Sequence, residues 1–232
     1  MVSFILCLLP ALLATASAQE TLTCEKCYGS AATCQPAKET CTVTKATGGC
    51  ISGAGESTLG ETLTTVFYKE CAEVYNNGLK SPISFTGGNG TYLRINTTEC
   101  KDTDNCNSAV LAVPQGSTTK NGLQCPTCFD LNSDTCNGTI TPCTGDETYC
   151  IDFTGKIVNG TTSPFAAKGC ATASVQDIKP GTFLASGPST YLFSRATSVP
   201  AEKTPLNGAS PALGKVSFAL YLPGLLLVKL LS

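Results

Sequence analysis

The 232-residue chain contains no histidine, no run of like charge and no stretch of sustained helical periodicity. Each absence removes a class of function. Without histidine there is no Ser-His-Asp triad, no Cys-His nucleophile and no histidine-bound zinc. No glycine-rich stretch follows a strand and opens a helix, so phosphate-cradling motifs are missing. Charge is sparse and scattered, 15 basic against 17 acidic side chains, which gives no electrostatic footprint for nucleic acid. The neighbouring acids Asp102/Asp104 and Asp146/Glu147 are the remaining candidates for acid–base work, but adjacent carboxylates on polar loops ordinarily serve solvation. The sequence therefore reads as non-catalytic, with no metal or cofactor site.

What the chain does have begins at its ends. The first eighteen residues, MVSFILCLLPALLATASA, are apolar and close on Ala16-Ser17-Ala18, a small-x-small cleavage site. No Lys or Arg precedes the apolar run, yet its lack of a polar face argues against a buried amphipathic helix. Residues 1–18 are expected to be a secretory signal peptide. The last residues, PLNGASPALGKVSFALYLPGLLLVKLLS, place small residues and a short spacer before an apolar stretch from Val216 to Leu231. That stretch is shorter than the roughly twenty residues of a spanning helix, and it contains Pro223 and Lys229. Small residues, spacer and apolar tail are the three parts of a GPI-attachment signal. Asn207 is the expected attachment residue because two small residues follow it, with Gly208, Ala209 and Ser210 as the other candidates. A stem of residues 200–207 and a propeptide of residues 208–232 follow from that choice. The mature chain, about residues 19–207, loses Lys215 and Lys229 and no acids, so 13 basic against 17 acidic side chains give a net charge of −4.

Four N-x-S/T sequons, at Asn89, Asn96, Asn137 and Asn159, lie in stretches rich in Gly, Asn and Thr, the composition of turns. Behind a signal peptide they are expected to carry N-glycans.

Of 15 cysteines, Cys7 leaves with the signal and 14 remain. They fall into two sets of the same rhythm. Cys24, Cys27, Cys34, Cys41, Cys50 and Cys71 are separated by two, six, six, eight and twenty residues. Cys125, Cys128, Cys136, Cys143, Cys150 and Cys170 are separated by two, seven, six, six and nineteen. The chain is an internal duplication, and Cys100 and Cys106 complete the first copy alone. Zinc would need facing pairs or accompanying histidines. A redox dithiol would sit at a helix start; the CPTC of Cys125–Cys128 tempts that reading, but no helical pattern follows it. Even sets of cysteines in a short exported domain read as a disulfide framework. Each copy is small and poor in large apolar side chains, so bridges worth about 2–4 kcal/mol apiece make up what its core lacks.

The segments between cysteines read as strands. TTVFYKECAEV mixes β-branched and aromatic residues, and GTYLRINTTEC alternates Tyr92, Arg94 and Asn96 on one side with Leu93 and Ile95 on the other. ETYCIDFTGKIV and STYLFSRAT are the matching stretches of the second copy. Turn signals separate them at Asn76-Asn77-Gly78, Gly87-Gly88-Asn89-Gly90, Thr154-Gly155 and Asn159-Gly160.

The run LTCEKCYGSAATC, closing on ECKDTDNCN with Cys106-Asn107, resembles the three-finger LU domain of the urokinase-receptor and lymphocyte-antigen family. The resemblance covers residues 22 to about 198. With NGLQCPTC opening a second copy, the arrangement is also similar to gamma-type phospholipase inhibitors, sodefrin-like secreted factors and two-domain GPI-anchored LU proteins. It implies an all-β protein of two tandem disulfide-rich three-finger domains, residues 19–107 and 123–199, joined by a linker of residues 108–122. Spacing alone leaves 105 pairings for eight cysteines and 15 for six. The resemblance implies Cys24–Cys50, Cys27–Cys34, Cys41–Cys71 and Cys100–Cys106, then Cys125–Cys150, Cys128–Cys136 and Cys143–Cys170. Relatives carry further cysteines after the position of Cys170; here Gln176, Thr197 and Ser198 stand in that region. The third finger of the second copy is accordingly expected to be looser than that of the first.

LU domains resemble stapled cores presenting long loops, and rigid presentation reduces the entropy lost on binding. In the first copy the fingers are expected around Cys27–Cys34, from Cys50 to Cys71, and from Cys71 to Cys100. Phe67, Tyr68, Tyr75, Phe85 and Tyr92 are the candidate ligand contacts, set against the alternative that they pack across strands. The expected protein is a cell-surface glycoprotein held in the outer leaflet by a GPI anchor, with an extracellular or cell-surface protein as its partner and no nucleic acid. A secreted phospholipase inhibitor and a structural barrier coat are the other readings. The linker, extended, spans up to about 45 Å, so the copies need not pack together.

Overall fold

The structure is a computed structural model that describes residues 20–35, 39–59, 62–73, 79, 81–88, 90–186 and 189–204. The signal peptide, the tail with Asn207, and Tyr75 and Asn89 lie outside the described residues. Among the described residues no helix is long and apolar enough to cross a membrane.

The first copy has six strands: β1 Thr21–Gly29, β2 Glu39–Thr44, β3 Gly49–Ser57, β4 Thr64–Ala72, β5 Ile83–Gly88 and β6 Thr91–Cys100. The second has β7 Lys120–Leu131, β8 Thr139–Thr144, β9 Tyr149–Asn159, β10 Thr161–Ala171, β11 Phe183–Ser186 and β12 Ser189–Pro200, then a two-residue β13, Glu202–Lys203. One 3₁₀ turn, Ala173–Asp177, precedes β11. In each copy consecutive hairpins make three fingers: β1–β2, β3–β4 and β5–β6, then β7–β8, β9–β10 and β11–β12. Every pairing is antiparallel. The fold is all-β.

Seven disulfides close the base of the fingers: Cys24–Cys50, Cys27–Cys34, Cys41–Cys71 and Cys100–Cys106 in the first copy, Cys125–Cys150, Cys128–Cys136 and Cys143–Cys170 in the second. Cys50 sits opposite both Cys71 and Cys100 in the ladder, and Cys150 opposite Cys170. The CPTC cysteines each bond elsewhere, so they form no dithiol.

Three points that the sequence leaves open or only expects take shape in the fold. First, the copies do pack together: β5 of the first copy pairs with β10 of the second, Phe85 opposite Ala171 and Thr86 opposite Cys170. The two sheets become one of thirteen strands, and one buried cluster draws on both copies. Ile83, Phe85, Leu93 and Ile95 come from the first copy; Phe153, Phe165, Tyr191 and Phe193 come from the second. The second copy's aromatics meet edge to face, Phe153 with Phe193 at 5.2 Å and Phe165 with Tyr191 at 5.5 Å. Each buried Phe contributes about 2–3 kcal/mol by area, so neither copy could expose this face cheaply. Second, the linker does not float. It runs over the outer face of β6, where the Asn96 amide donates to the Ala112 carbonyl and Gly116 abuts the Arg94 guanidinium. Strand β7 also begins at Lys120, two residues before the expected end of that linker.

Third, strand pairing holds the third finger of the second copy even though its bridge is missing. β12 is twelve residues long and pairs with β9 from Thr190↔Val158 to Pro200↔Tyr149, through one register shift at Phe193/Arg195. The matching ladder of the first copy, β3 with β6, runs over eight positions. β13 then returns to β7 and closes the second copy where the first copy uses Cys100–Cys106.

Candidate binding surface

The aromatic candidates separate once their strands are placed. On β4 and β6 alternate residues face the core, as period-two strands require. Tyr68 is buried at 3% exposure, and its hydroxyl donates to the Ala185 carbonyl of β11 at 2.7 Å. Gly53 makes room for it, since a Cβ there would collide with the Tyr68 ring. Burial raises the Tyr68 phenol far above its ordinary value, and the nearby charges of Glu70 and Glu99 add to the shift. Phe85 is buried in the shared core. Neither is a surface anchor. Both correct the sequence expectation, and the cause is the second copy, which covers a face that one isolated domain would expose.

Phe67 and Tyr92 are partly buried. The Tyr92 hydroxyl donates to Glu56 Oε1 at 2.7 Å, and the Arg94 guanidinium lies 4.0 Å from the centre of its ring while pairing with the same carboxylate at 3.1 Å. The Glu56 bond is the largest influence raising the Tyr92 phenol. The trio fastens the linker side of β6, and Tyr92 stays partly exposed there. Leu93 and Ile95, on the opposite face, enter the core as the alternation predicts.

Of the acids weighed for catalysis, Asp104 and Glu147 hold structure. Asp104 Oδ1 accepts from the Thr23 amide at 2.8 Å. Glu147, 7% exposed, accepts from the Thr86 hydroxyl at 2.6 Å and the Thr144 hydroxyl at 3.2 Å. Burial raises its carboxyl above the ordinary value, against the lowering effect of those bonds. Lys69, 3% exposed, is spent on Glu25 Oε2 at 2.5 Å and on the Ser108 carbonyl. Two cysteine triplets cluster as metal ligands would, Cys24/Cys41/Cys71 and Cys125/Cys143/Cys170, but all six sulfurs are in disulfides.

The sequons differ in setting. Asn137 and Asn159 are exposed. The Asn96 side chain is half-buried, its Oδ1 accepting from Ser81 and its amide facing Ala112. A sugar there would replace one of two amide hydrogens and leave the other for that carbonyl.

What sequence patterning missed is the surface created where the copies meet. A cleft of about 740 Å³ opens between β3–β4 and the segment leading into β11. Ile51 and Ala72 line one wall and Phe183 the other, with Glu70, Glu73 and Glu99 among the lining residues. Phe183 is 48% exposed. Burial raises the Glu70 carboxyl, against the influence of Lys26. An apolar floor with carboxylates around it suits an aliphatic or aromatic side chain flanked by Lys or Arg. No signal within either repeat alone marks this cleft, because its walls come from different copies, with Ile51 and Phe183 far apart in the chain.

A family model described as the u-PAR/Ly-6 domain matches residues 20–109 and 121–186. The chain belongs to the u-PAR/Ly-6 domain family and carries two copies of the domain. Protein RoBo-1 of Rattus norvegicus is 32% identical over 81 residues, 35% of this chain and 33% of that protein. A phospholipase A2 inhibitor of the gamma type from Laticauda semifasciata is 41% identical over 54 residues, 23% of this chain and 30% of the inhibitor. The chain thus spans about a third of the length of these relatives. The crystal structure of mouse TEX101 aligns over 68% of this chain and 83% of its own, at 21% identity and a TM-score of 0.29.

Proposed function

We propose that the chain is a non-catalytic, GPI-anchored cell-surface glycoprotein that binds a protein ligand, or tunes a neighbouring receptor, through surfaces its fingers build. The observation that carries the reading is the cleft between the second finger of the first copy and the third finger of the second, with exposed Phe183 on its wall. Its partner chemistry is a protein segment with an apolar side chain beside basic ones. The shared core and seven bridges hold both walls in place before binding, which lowers the ordering cost of association. The absence of histidine from the sequence, and the structural engagement of Asp104 and Glu147, favour binding over catalysis.

On this reading residues 1–18 are removed, residues 19–107 and 123–199 form the two domains, and Asn207 receives the anchor after a short stem. Asn89, Asn96, Asn137 and Asn159 carry the glycans. The test is treatment of cells expressing the full chain, tagged after Ala18, with phosphatidylinositol-specific phospholipase C. Release of the tag from the surface supports the anchor; tag found only in the medium, with none on cells, rejects it.

A second reading, a secreted phospholipase inhibitor, is favoured by the stretch shared with the gamma-type phospholipase A2 inhibitor. It fails if the purified protein leaves a panel of secreted phospholipases fully active at micromolar concentration.

A further inference from the structure

At the fingertip end the shared core is open. The ends of six strands converge there: Ser57 closes β3, Thr64 opens β4, Leu131 closes β7, Asn159 closes β9, Ser186 closes β11 and Ser189 opens β12. They rim a groove of about 290 Å³ whose floor is Leu59, Val66, Phe129, Ile157 and Tyr191. No charged side chain is among its described lining residues. Leu131 beside it and Val158 at the neighbouring tip are 45% and 43% exposed. An apolar opening of this kind on an exported protein invites self-association unless something covers it.

The residue placed to cover it is Asn159. Alternate residues of β9 face the core: Ile151 at 6% exposure, Phe153 at 4%, buried Gly155, then Ile157 packed against the cluster. Asn159 is the next position in that inward column, exposed at the rim, and it begins the sequon Asn159-Gly160-Thr161. A sugar on its amide therefore starts at the mouth of the groove, on the side that faces the core. N-acetylglucosamine has an apolar face of ring C–H groups, which suits Phe129, Leu131 and Tyr191, and it carries no charge, which suits a lining without a counter-ion.

We propose that the first sugars of the Asn159 glycan lie over this groove and close the open end of the core. Asn137, exposed on the loop before β8, is not among the residues that line this groove and serves as the control site. The inference rests on Asn159 being glycosylated, and the test separates the two claims. The full chain is expressed in mammalian cells and glycopeptide-mapped at Asn159. Hydroxyl-radical footprinting is then read at Phe129, Leu131 and Tyr191 in three forms: wild type, Thr161→Ala, which deletes this sequon, and Thr139→Ala, which deletes that of Asn137. Oxidation of the groove residues should rise severalfold in Thr161→Ala and stay at the wild-type level in Thr139→Ala. Enzymatic removal of the glycan from the folded wild-type protein should give the same rise, which guards against a folding defect in the variant. A bare Asn159 overturns the inference at its premise. An occupied Asn159 with groove residues equally oxidised before and after removal overturns the covering role and leaves the glycan assignment standing.

Discussion

The hydroxyl of Tyr68 donates a 2.7 Å hydrogen bond to the carbonyl of Ala185, a residue 117 positions later in the other copy. This bond joins the second finger of one domain to the third finger of the next. Tyr68→Phe keeps the ring in its slot over Gly53 but leaves the Ala185 carbonyl without that donor. The expected loss is about 1–2 kcal/mol in denaturant unfolding with an unchanged slope. An unchanged midpoint would mean that the bond adds nothing to the joint between the copies.

Glu147 and Thr86 form a second tie across the joint, and it depends on pH. Burial raises the Glu147 carboxyl above its ordinary value in the folded protein, so the folded state holds a proton that the unfolded chain has released. That contribution is complete below the ordinary carboxyl range and is lost as pH rises through the folded value. Glu70, raised by burial as well, acts in the same direction. Glu147→Gln removes the titration at one site. The melting temperature of wild type relative to this variant should therefore be highest in acid and fall toward neutral pH; parallel curves would contradict the assignment.

Asn107 closes the first copy from inside. Its amide donates to the carbonyls of Glu25 at 2.9 Å and Ile51 at 3.0 Å, and its Oδ1 accepts from the Glu25 amide at 2.9 Å. Asn107→Ala leaves three backbone groups without these partners, at 3% exposure, and is expected to cost about 3 kcal/mol. Asn107→Asp keeps the acceptor and loses the donors, so it should recover only part of the stability measured by urea unfolding. Full stability in the alanine variant would sink this account.

That residue also marks how far the sequence can be read. Cys106-Asn107 is visible as a family feature, but its reason, three hydrogen bonds to strands about 55 and 80 residues earlier, is a tertiary fact. The cysteine rhythm exposes the duplication because disulfide spacing is local, and Leu93 and Ile95 are legible as core because strand alternation is local too. Tyr68 and Phe85 pass for candidate contacts in the sequence because their covering surface belongs to the other copy. The cleft beside Phe183 is invisible there for the same reason, since neither repeat builds it alone.

Gly116 is where the linker touches the fold most closely. A Cβ there would collide with the Arg94 guanidinium, which is pinned between the Tyr92 ring and Glu56. Gly116→Ala should lift the linker or unseat Arg94, at about 1 kcal/mol, and speed proteolysis within residues 108–119. Arg94→Ala removes the obstacle, so the double variant should be more stable than the sum of the two singles predicts. Strict additivity would show that the linker and Arg94 do not compete for one space.

Phe183 offers the cleanest separation of binding from folding. It is 48% exposed on the wall of the inter-copy cleft, so replacing it should shift stability by no more than about 0.5 kcal/mol. If the cleft receives an apolar side chain, Phe183→Asp removes the wall and adds a carboxylate near Glu70 and Glu73, whereas Glu73→Lys reverses charge at the same place. In surface proximity labelling of cells expressing the full chain, both variants should lose the neighbours that wild type recovers, while Ile140→Asp, on an exposed residue of β8 away from the cleft, should keep them. Loss in all three variants would point to a folding or trafficking defect. Retention in both cleft variants would move the binding surface elsewhere on the fingers. A basic partner implies one more sign: recovery by Glu73→Lys should be lost more completely at low ionic strength, where charge repulsion is least screened.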